Sequence, residues 1–193
     1  GLSLVGSEMC IRDSLDSIYH LAMTKSCFHS IGSQSINHCA EFMLIEGNFK
    51  KGNKHENIIN SLKKGKKKTI KRNGKLYKKF SDHIGLIPVV MISPYDRDLI
   101  QEGSSNRRKF IDNVISQNNK IYLTQIISYQ KILSQRNALL KYFKKNNTFD
   151  LSILKVYDNQ LSDLSIPIYK TRIEFFKNFV TVFVNRYNSI SQN

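Results

Sequence analysis

Two adjacent guanidiniums, Arg107 and Arg108, follow a stretch of carboxylates and turn residues that runs from Asp96 to Asn106. Paired guanidiniums suit bidentate contacts with phosphate or carboxylate. A solvated first helical turn would carry the same pair with no ligand. A second set of cations lies upstream: between Lys50 and Lys79 there are thirteen Lys or Arg residues and one acid, Glu56. From it, Lys63, Lys64, Lys66, Lys67, Lys68, Lys71, Arg72 and Lys75 join Arg107 and Arg108 as candidate DNA contacts. Ammonium groups neutralise phosphates without reading bases. Strand alternation places Lys71 and Arg72 on opposite faces, so the whole set cannot meet one ligand. Lysines also protect strand edges from aggregation, but a few per edge suffice for that, and this density favours a track along a DNA backbone.

The elements that must position these groups can be read from the pattern. Val89 to Ile92 is a short apolar run between Pro88 and Pro94, which predicts a buried strand that Pro94 ends. Asp96, Arg97, Asp98, Gln101 and Glu102 then fall on a loop at the strand's C-terminal end, where ligands of α/β proteins bind. Gly103 to Asn106 offers N-caps for the helix that carries the arginines. For the lysines the elements are strands over Phe42–Phe49, Ile58–Leu62, Thr69–Arg72 and Lys75–Phe80. Asn73-Gly74 between the last two is a type I′ hairpin signal. Such a succession is an antiparallel meander, with the lysine run Lys63–Lys68 in one of its connections.

Around this core the spacing is helical. Leu15, Ile18, Tyr19, Leu21 and Ala22 predict an amphipathic helix, and the polar stretch Lys25–Ala40 a loop. After Arg107, apolar residues recur every three or four positions. They predict long helices broken near Asn118-Asn119, turning at Lys144–Asn147, and continuing as Leu151–Leu164 and Ile168–Tyr187 on either side of Pro167. The aromatic residues of this region follow the same period and read as a core seam rather than a base-stacking platform.

Composition narrows the function classes. A net charge of +15, from 30 Lys+Arg against 15 Asp+Glu, points to a polyanionic partner. A basic or low-GC composition would give the same surplus together with the many Asn and Ile residues. Cys10, Cys27 and Cys39 have no metal-ligand spacing and predict reduced thiols. His20, His29 and His38 lack i, i+4 spacing and carboxylate partners, so no metal site is assigned. No apolar run reaches the length of a membrane span, and a cytoplasmic location with no membrane partner is expected.

Pro94, Asp96, Leu99, Ile100, Gly103, Ser104, Arg107, Arg108, Phe110, Ile111 and Asp112 resemble the signature segment of the RecF family of SMC-like ATPases. Tyr95 departs from that pattern, where the family more often has an acid, and so does Ser105, where it often has proline. Weaker echoes follow at Gln135, Arg136 and Asn137 with Leu139 and Leu140, and at Tyr157, Asp158, Leu161, Ile168, Arg172, Phe175 and Phe176. The resemblance implies a mixed α+β fold: a partial ABC/SMC-like ATPase head with an antiparallel β-meander and a helical lobe. It places a partial ATPase lobe at 15–103 and the helical arm at 104–193. It leaves 1–14 as a segment foreign to the family, of the kind produced by translated adapter sequence.

For the intact family protein the resemblance implies ATP and Mg2+ as cofactors and an ATP-dependent homodimer. The implied function is DNA replication and repair: binding double-stranded or gapped DNA and aiding recombinase loading with RecO- and RecR-type mediators. It sets Ser93, Asp96 and Gln101 near the nucleotide. The sequence contains no GxxxxGK[ST] phosphate loop, and the Mg-holding acidic strand would lie beyond Asn193. This chain, read as a fragment, is therefore expected neither to hydrolyse ATP nor to hold a cofactor, and no catalytic residue is assigned. The competing reading is a stand-alone basic nucleic-acid-binding module with no nucleotide dependence.

Overall fold

The computed structural model describes residues 4–29, 31–101 and 103–191; Gly1 to Ser3 and Glu102, named above, lie outside them. The chain divides into two units, Gly1–Gln101 and Glu102–Asn193.

In the first unit a helix, α1 (Leu4–Met23), precedes four strands, β1 (Phe42–Lys51), β2 (Lys54–Lys63), β3 (Thr69–Arg72) and β4 (Lys75–Leu76). All pair antiparallel in the order β1-β2-β3-β4, the predicted meander. Asn73 and Gly74 both take positive φ, 49° and 78°, as a type I′ turn requires. Alternation sorts the side chains. Ile45, Phe49, Ile58 and Ile70 point inward and pack with Leu21, Tyr77, Leu86 and Ile87. Gly47 lets α1 sit on this face: a Cβ there would lie 2.5 Å from Leu21 Cδ1.

Four expectations for this unit need correction. The helix predicted from Leu15 begins at Leu4, within the segment set apart as 1–14. The helix is not amphipathic along its length: Leu15 and Ile18 are exposed, whereas Tyr19 to Met23 are buried consecutively. The fourth strand stops at Leu76, because after Tyr77 donates to Ile70 O (2.9 Å) the chain turns through Phe80–Asp82. Finally, Val89–Ile92 is neither strand nor buried; Val90 is 62% exposed and Ile92 85%. A ladder needs a neighbouring strand as well as a β-rich run, and the sheet of the described residues is built from β1 to β4 without this segment.

The second unit is helical: α3 (Ser104–Asn118), α4 (Lys120–Asn146) and α5 (Leu151–Ile190), after a one-turn α2 (Asp98–Gln101) at the end of the first. Asn119 breaks α3 from α4 at the expected place, and its side chain accepts the Tyr122 N–H at 2.9 Å. Asn147, at φ 49°, ends α4, and Asp150 caps α5 through the Ser152 and Ile153 amides. The Ser152 hydroxyl, which donates to Asp150 Oδ1 at 2.6 Å, and then these amides hold the Asp150 carboxyl below its ordinary range. Ile115, Tyr122 and Ile168 form the core, with Ile111, Ile126, Tyr129, Leu164 and Phe175 around it.

Two predictions fail here. Pro167 does not separate two helices but lies inside a continuous α5. Its missing N–H removes one rung, while Leu164 before it and Ile168 and Phe175 after it share one core and keep both halves in line. Nor do the distal aromatics form a core seam. α5 has 40 residues against 27 in α4, and Phe179, Phe183 and Tyr187 are 42–59% exposed, stacked on one another at i, i+4.

Candidate nucleic-acid interface

The last carbonyls of a helix have no intrahelical donor, and burying them unpaired is costly. The final turn of α1 is buried, and three later elements supply donors. Asn60 Nδ2 on β2 reaches His20 O at 3.1 Å, His83 Nε2 reaches Leu21 O at 2.6 Å, and Lys68 Nζ bonds Thr24 O. Thr24 itself closes the helix at φ 62°, its N–H on His20 O. Lys68 thus complements the negative end of the helix. It is half-buried, lies 5.2 Å over the Phe80 ring, and is lowered in pKa first by burial and then by Lys25. Lys68 is thus engaged by the helix end, unlike the exposed Lys66 and Lys67 beside it.

Arg72 is engaged by a carboxylate. Its Nε and Nη2 grip the two oxygens of Glu56 at 2.7 and 2.5 Å, and Asn73 Nδ2 adds a bond at 2.9 Å. Arg72, with help from Asn73, holds the Glu56 carboxyl down to about 2 against the opposing effect of burial. The one acid of the lysine-rich stretch is therefore occupied by the one arginine beside it. Lys75 stands opposite Arg72 in the ladder and shares its face, away from Lys71.

What remains is a coherent group. Lys63 ends β2 on the outer face, Lys64, Lys66 and Lys67 are exposed in the connection to β3, and Lys71 is exposed on the outer face of β3. Lys64 Nζ lies 3.4 Å from His38 O, a weak tether that leaves the side chain exposed. The reading from sequence overlooked Lys50, which shares this outer face at the other end of β1; its register opposite His55 was the available signal. The outer-face carboxylate between these lysines, Glu46, accepts from Asn57 Nδ2 at 2.7 Å. An array of exposed ammoniums of this kind can neutralise successive phosphates.

The remaining predicted residues lie elsewhere. The segment expected as a loop after Pro94 is a 3₁₀ turn, Pro94–Arg97, followed by α2. Asp96 Oδ2 accepts the Ser93 N–H at 2.5 Å while Ser93 O accepts the Asp96 N–H at 3.0 Å, a closed local turn, and Gln101 is exposed. Arg107 and Arg108 belong to the second unit, both exposed on the first turns of α3. The helix cap is Gly103 with no side-chain bond, and Ser104 instead accepts from Arg108 Nη1 at 2.7 Å. His20 is buried beside Asp16 (3.8 Å) and Ser35 (3.3 Å), and burial lowers its pKa. Among the described residues no three His, Cys, Asp or Glu side chains come together as a metal-binding group, and no helix is long and apolar enough to cross a membrane.

Residues of the resemblance have structural posts in the second unit. Asp112 on α3 receives Tyr122 Oη at 2.5 Å from α4 and both Arg172 Nε (2.9 Å) and Nη2 (2.8 Å) from α5. Burial first, and the bond to Asp112 second, push the Tyr122 hydroxyl well above its ordinary pKa. Arg136 Nε bonds Asp158 Oδ1 at 2.5 Å, tying α4 to α5.

No family model matches the chain. It is 52% identical over 177 residues to the DNA replication and repair protein RecF of Flavobacterium johnsoniae, covering 92% of this chain and 49% of that protein. The corresponding RecF of Phocaeicola vulgatus is 42% identical over 180 residues, covering 93% and 48%. A solved structure of the recombination mediator protein RecF-ATP in the RecFOR pathway matches with a TM-score of 0.85 at 29% identity, over 92% of this chain and 48% of that one. A second, of RecF-ATPrS in the same pathway, gives 0.84. The chain spans about half the length of the curated relatives it matches, and over that span it belongs to the RecF family of DNA replication and repair proteins.

Proposed function

We propose that the lysines of the β2–β3 connection and the outer sheet face form a backbone-contacting surface for duplex DNA. They would serve a RecF-type protein that engages double-stranded or gapped DNA under the control of ATP and assists recombinase loading with RecO- and RecR-type partners. The observation that carries the reading is the clustering of exposed Lys63, Lys64, Lys66, Lys67 and Lys71, while the nearby Lys68 is bonded to Thr24 O and Arg72 to Glu56. Aggregation control alone does not call for three exposed lysines in one short connection with a fourth at the strand end before it.

Measuring the affinity of the chain for a duplex oligonucleotide across a salt series tests this. If the five lysines each neutralise one phosphate, the slope of log K against log salt is about −4.5, and Lys66→Glu with Lys67→Glu makes it shallower by about 2. Lys68 is kept intact because it caps α1. Unchanged affinity and slope in that variant at low salt refute the surface. Nucleotide control is read separately in the full-length Flavobacterium johnsoniae relative: equal DNA affinity with and without ATP and Mg2+ would leave only a nucleotide-independent basic module.

A further inference from the structure

Each helix of the second unit turns one stripe toward a shared cleft of about 740 Å³. The α4 stripe is Ile126, Tyr129 and Leu133, at helical i, i+3, i+7 spacing, and with Ile168 of α5 it makes an apolar floor. At the mouth stand Ile166 and Tyr169, 53% and 66% exposed, large apolar surfaces left in water. The rim is cationic: Arg108 and Lys109 from α3 and Lys170 from α5, all exposed. The carboxylate in the lining, Asp112, is already taken by Arg172 and Tyr122 and offers the rim no compensation.

We infer that this cleft is a docking site for an acidic peptide segment of a partner protein. An apolar side chain of that segment sits on the α4–α5 floor, and its carboxylates meet Arg108, Lys109 and Lys170. The volume lies within the range of clefts that enclose a few side chains of a ligand. Charge decides among occupants. A second copy of this chain, at +15, is repelled by a positive rim. A nucleic acid would gain from three cations but nothing from branched aliphatic residues, whereas an acidic peptide with an aliphatic or aromatic anchor satisfies both rim and floor. The inference is independent of the DNA surface, which lies in the other unit.

The test uses the 193-residue chain with labelled isoleucine methyls. Its probes are a short synthetic peptide of glutamate, leucine and phenylalanine, the same peptide with lysine for glutamate, and a thymidine oligonucleotide. The acidic peptide is expected to shift the Ile126, Ile166 and Ile168 methyls and to bind more tightly than the lysine peptide. Lys170→Glu and Tyr169→Ala, both at exposed positions and checked for folding by circular dichroism, each weaken it by about tenfold. Acidic-peptide binding that leaves those methyls unmoved, equal binding of the lysine peptide, or unchanged affinity in both variants overturns the inference. So does an oligonucleotide that moves the same methyls at lower concentration, which would make the cleft a nucleic-acid site.

Discussion

Replacing Arg172 by methionine isolates the joint that holds the three helices of the second unit in register. Arg172 is 26% exposed and Asp112 14%, so neither charge is fully solvated, and the contact is bidentate. Removing one partner of a buried pair costs roughly 3–5 kcal/mol, and the partial exposure of Arg172 brings the expected loss to about 2–3 kcal/mol. Tyr122→Phe removes a bond of 2.5 Å from a side chain with no exposure, a loss of about 1–2 kcal/mol. Because both donors serve the same carboxylate and touch each other at 3.1 Å, the double variant should lose less than the sum, with a coupling of about 1 kcal/mol. Arg172→Lys should recover little, since an ammonium cannot bridge both oxygens and also the phenol. Urea unfolding followed by far-ultraviolet circular dichroism reads these helices directly. An unshifted midpoint in Arg172→Met, or strict additivity in the double variant, would falsify the account of Asp112 as a shared acceptor.

The first unit supports three further predictions. Glu56 is held in its ionised form by Arg72, so this contribution is intact above about pH 4.5 and lost as pH falls toward about 2; Glu56→Gln should flatten acid unfolding in that window and leave stability above pH 6 nearly independent of pH. Lys68→Met removes the donor to Thr24 O at a buried helix end and should lower stability by about 1–2 kcal/mol while changing duplex affinity little; a large affinity loss with unaltered stability would put Lys68 among the DNA contacts. Gly74→Ala adds a Cβ that meets nothing within 4 Å but at φ 78°, so its cost of about 1 kcal/mol is conformational alone and should appear in thermal unfolding without any change in DNA binding.

The meander was legible because its signals are local. Asn73-Gly74 specifies the turn between β3 and β4, and alternation alone separates Lys71 from Arg72. Losses occurred where the deciding partner is distant in sequence. Val89–Ile92 has strand composition, but no residue type within it reveals whether another backbone lies alongside. Lys68 is indistinguishable from Lys67 in the sequence; only the return of the β2–β3 connection to Thr24, 44 residues earlier, makes one a helix cap and leaves the other in solvent. Pro167 gave the opposite error, since a strong local breaker was overridden by core contacts on both sides.

The residues that carry the family resemblance are, in the second unit, largely the ones with structural duties. Asp112 with Arg172 joins helices 60 residues apart in sequence, Arg136 with Asp158 ties α4 to α5, and Ile168 lies in the core with Ile111 and Phe175 packed against it. Such positions tolerate little change, because a half-satisfied buried polar group costs more than none. They can therefore identify an architecture without identifying its ligands. The proposed contacts have the opposite character. Lys63, Lys64, Lys66, Lys67 and Lys71 have exposed side chains, and a phosphate surface requires only that enough positive charge lie on one side. Single lysine replacements should consequently change duplex binding by small, nearly equal steps, each removing about one unit of salt slope. Single replacements at the helix joints should act through folding, with no change in slope for the fraction that remains folded. A lone lysine whose loss abolished binding while the salt slope of its neighbours persisted would mean a specific contact, and would contradict a surface built from interchangeable charges.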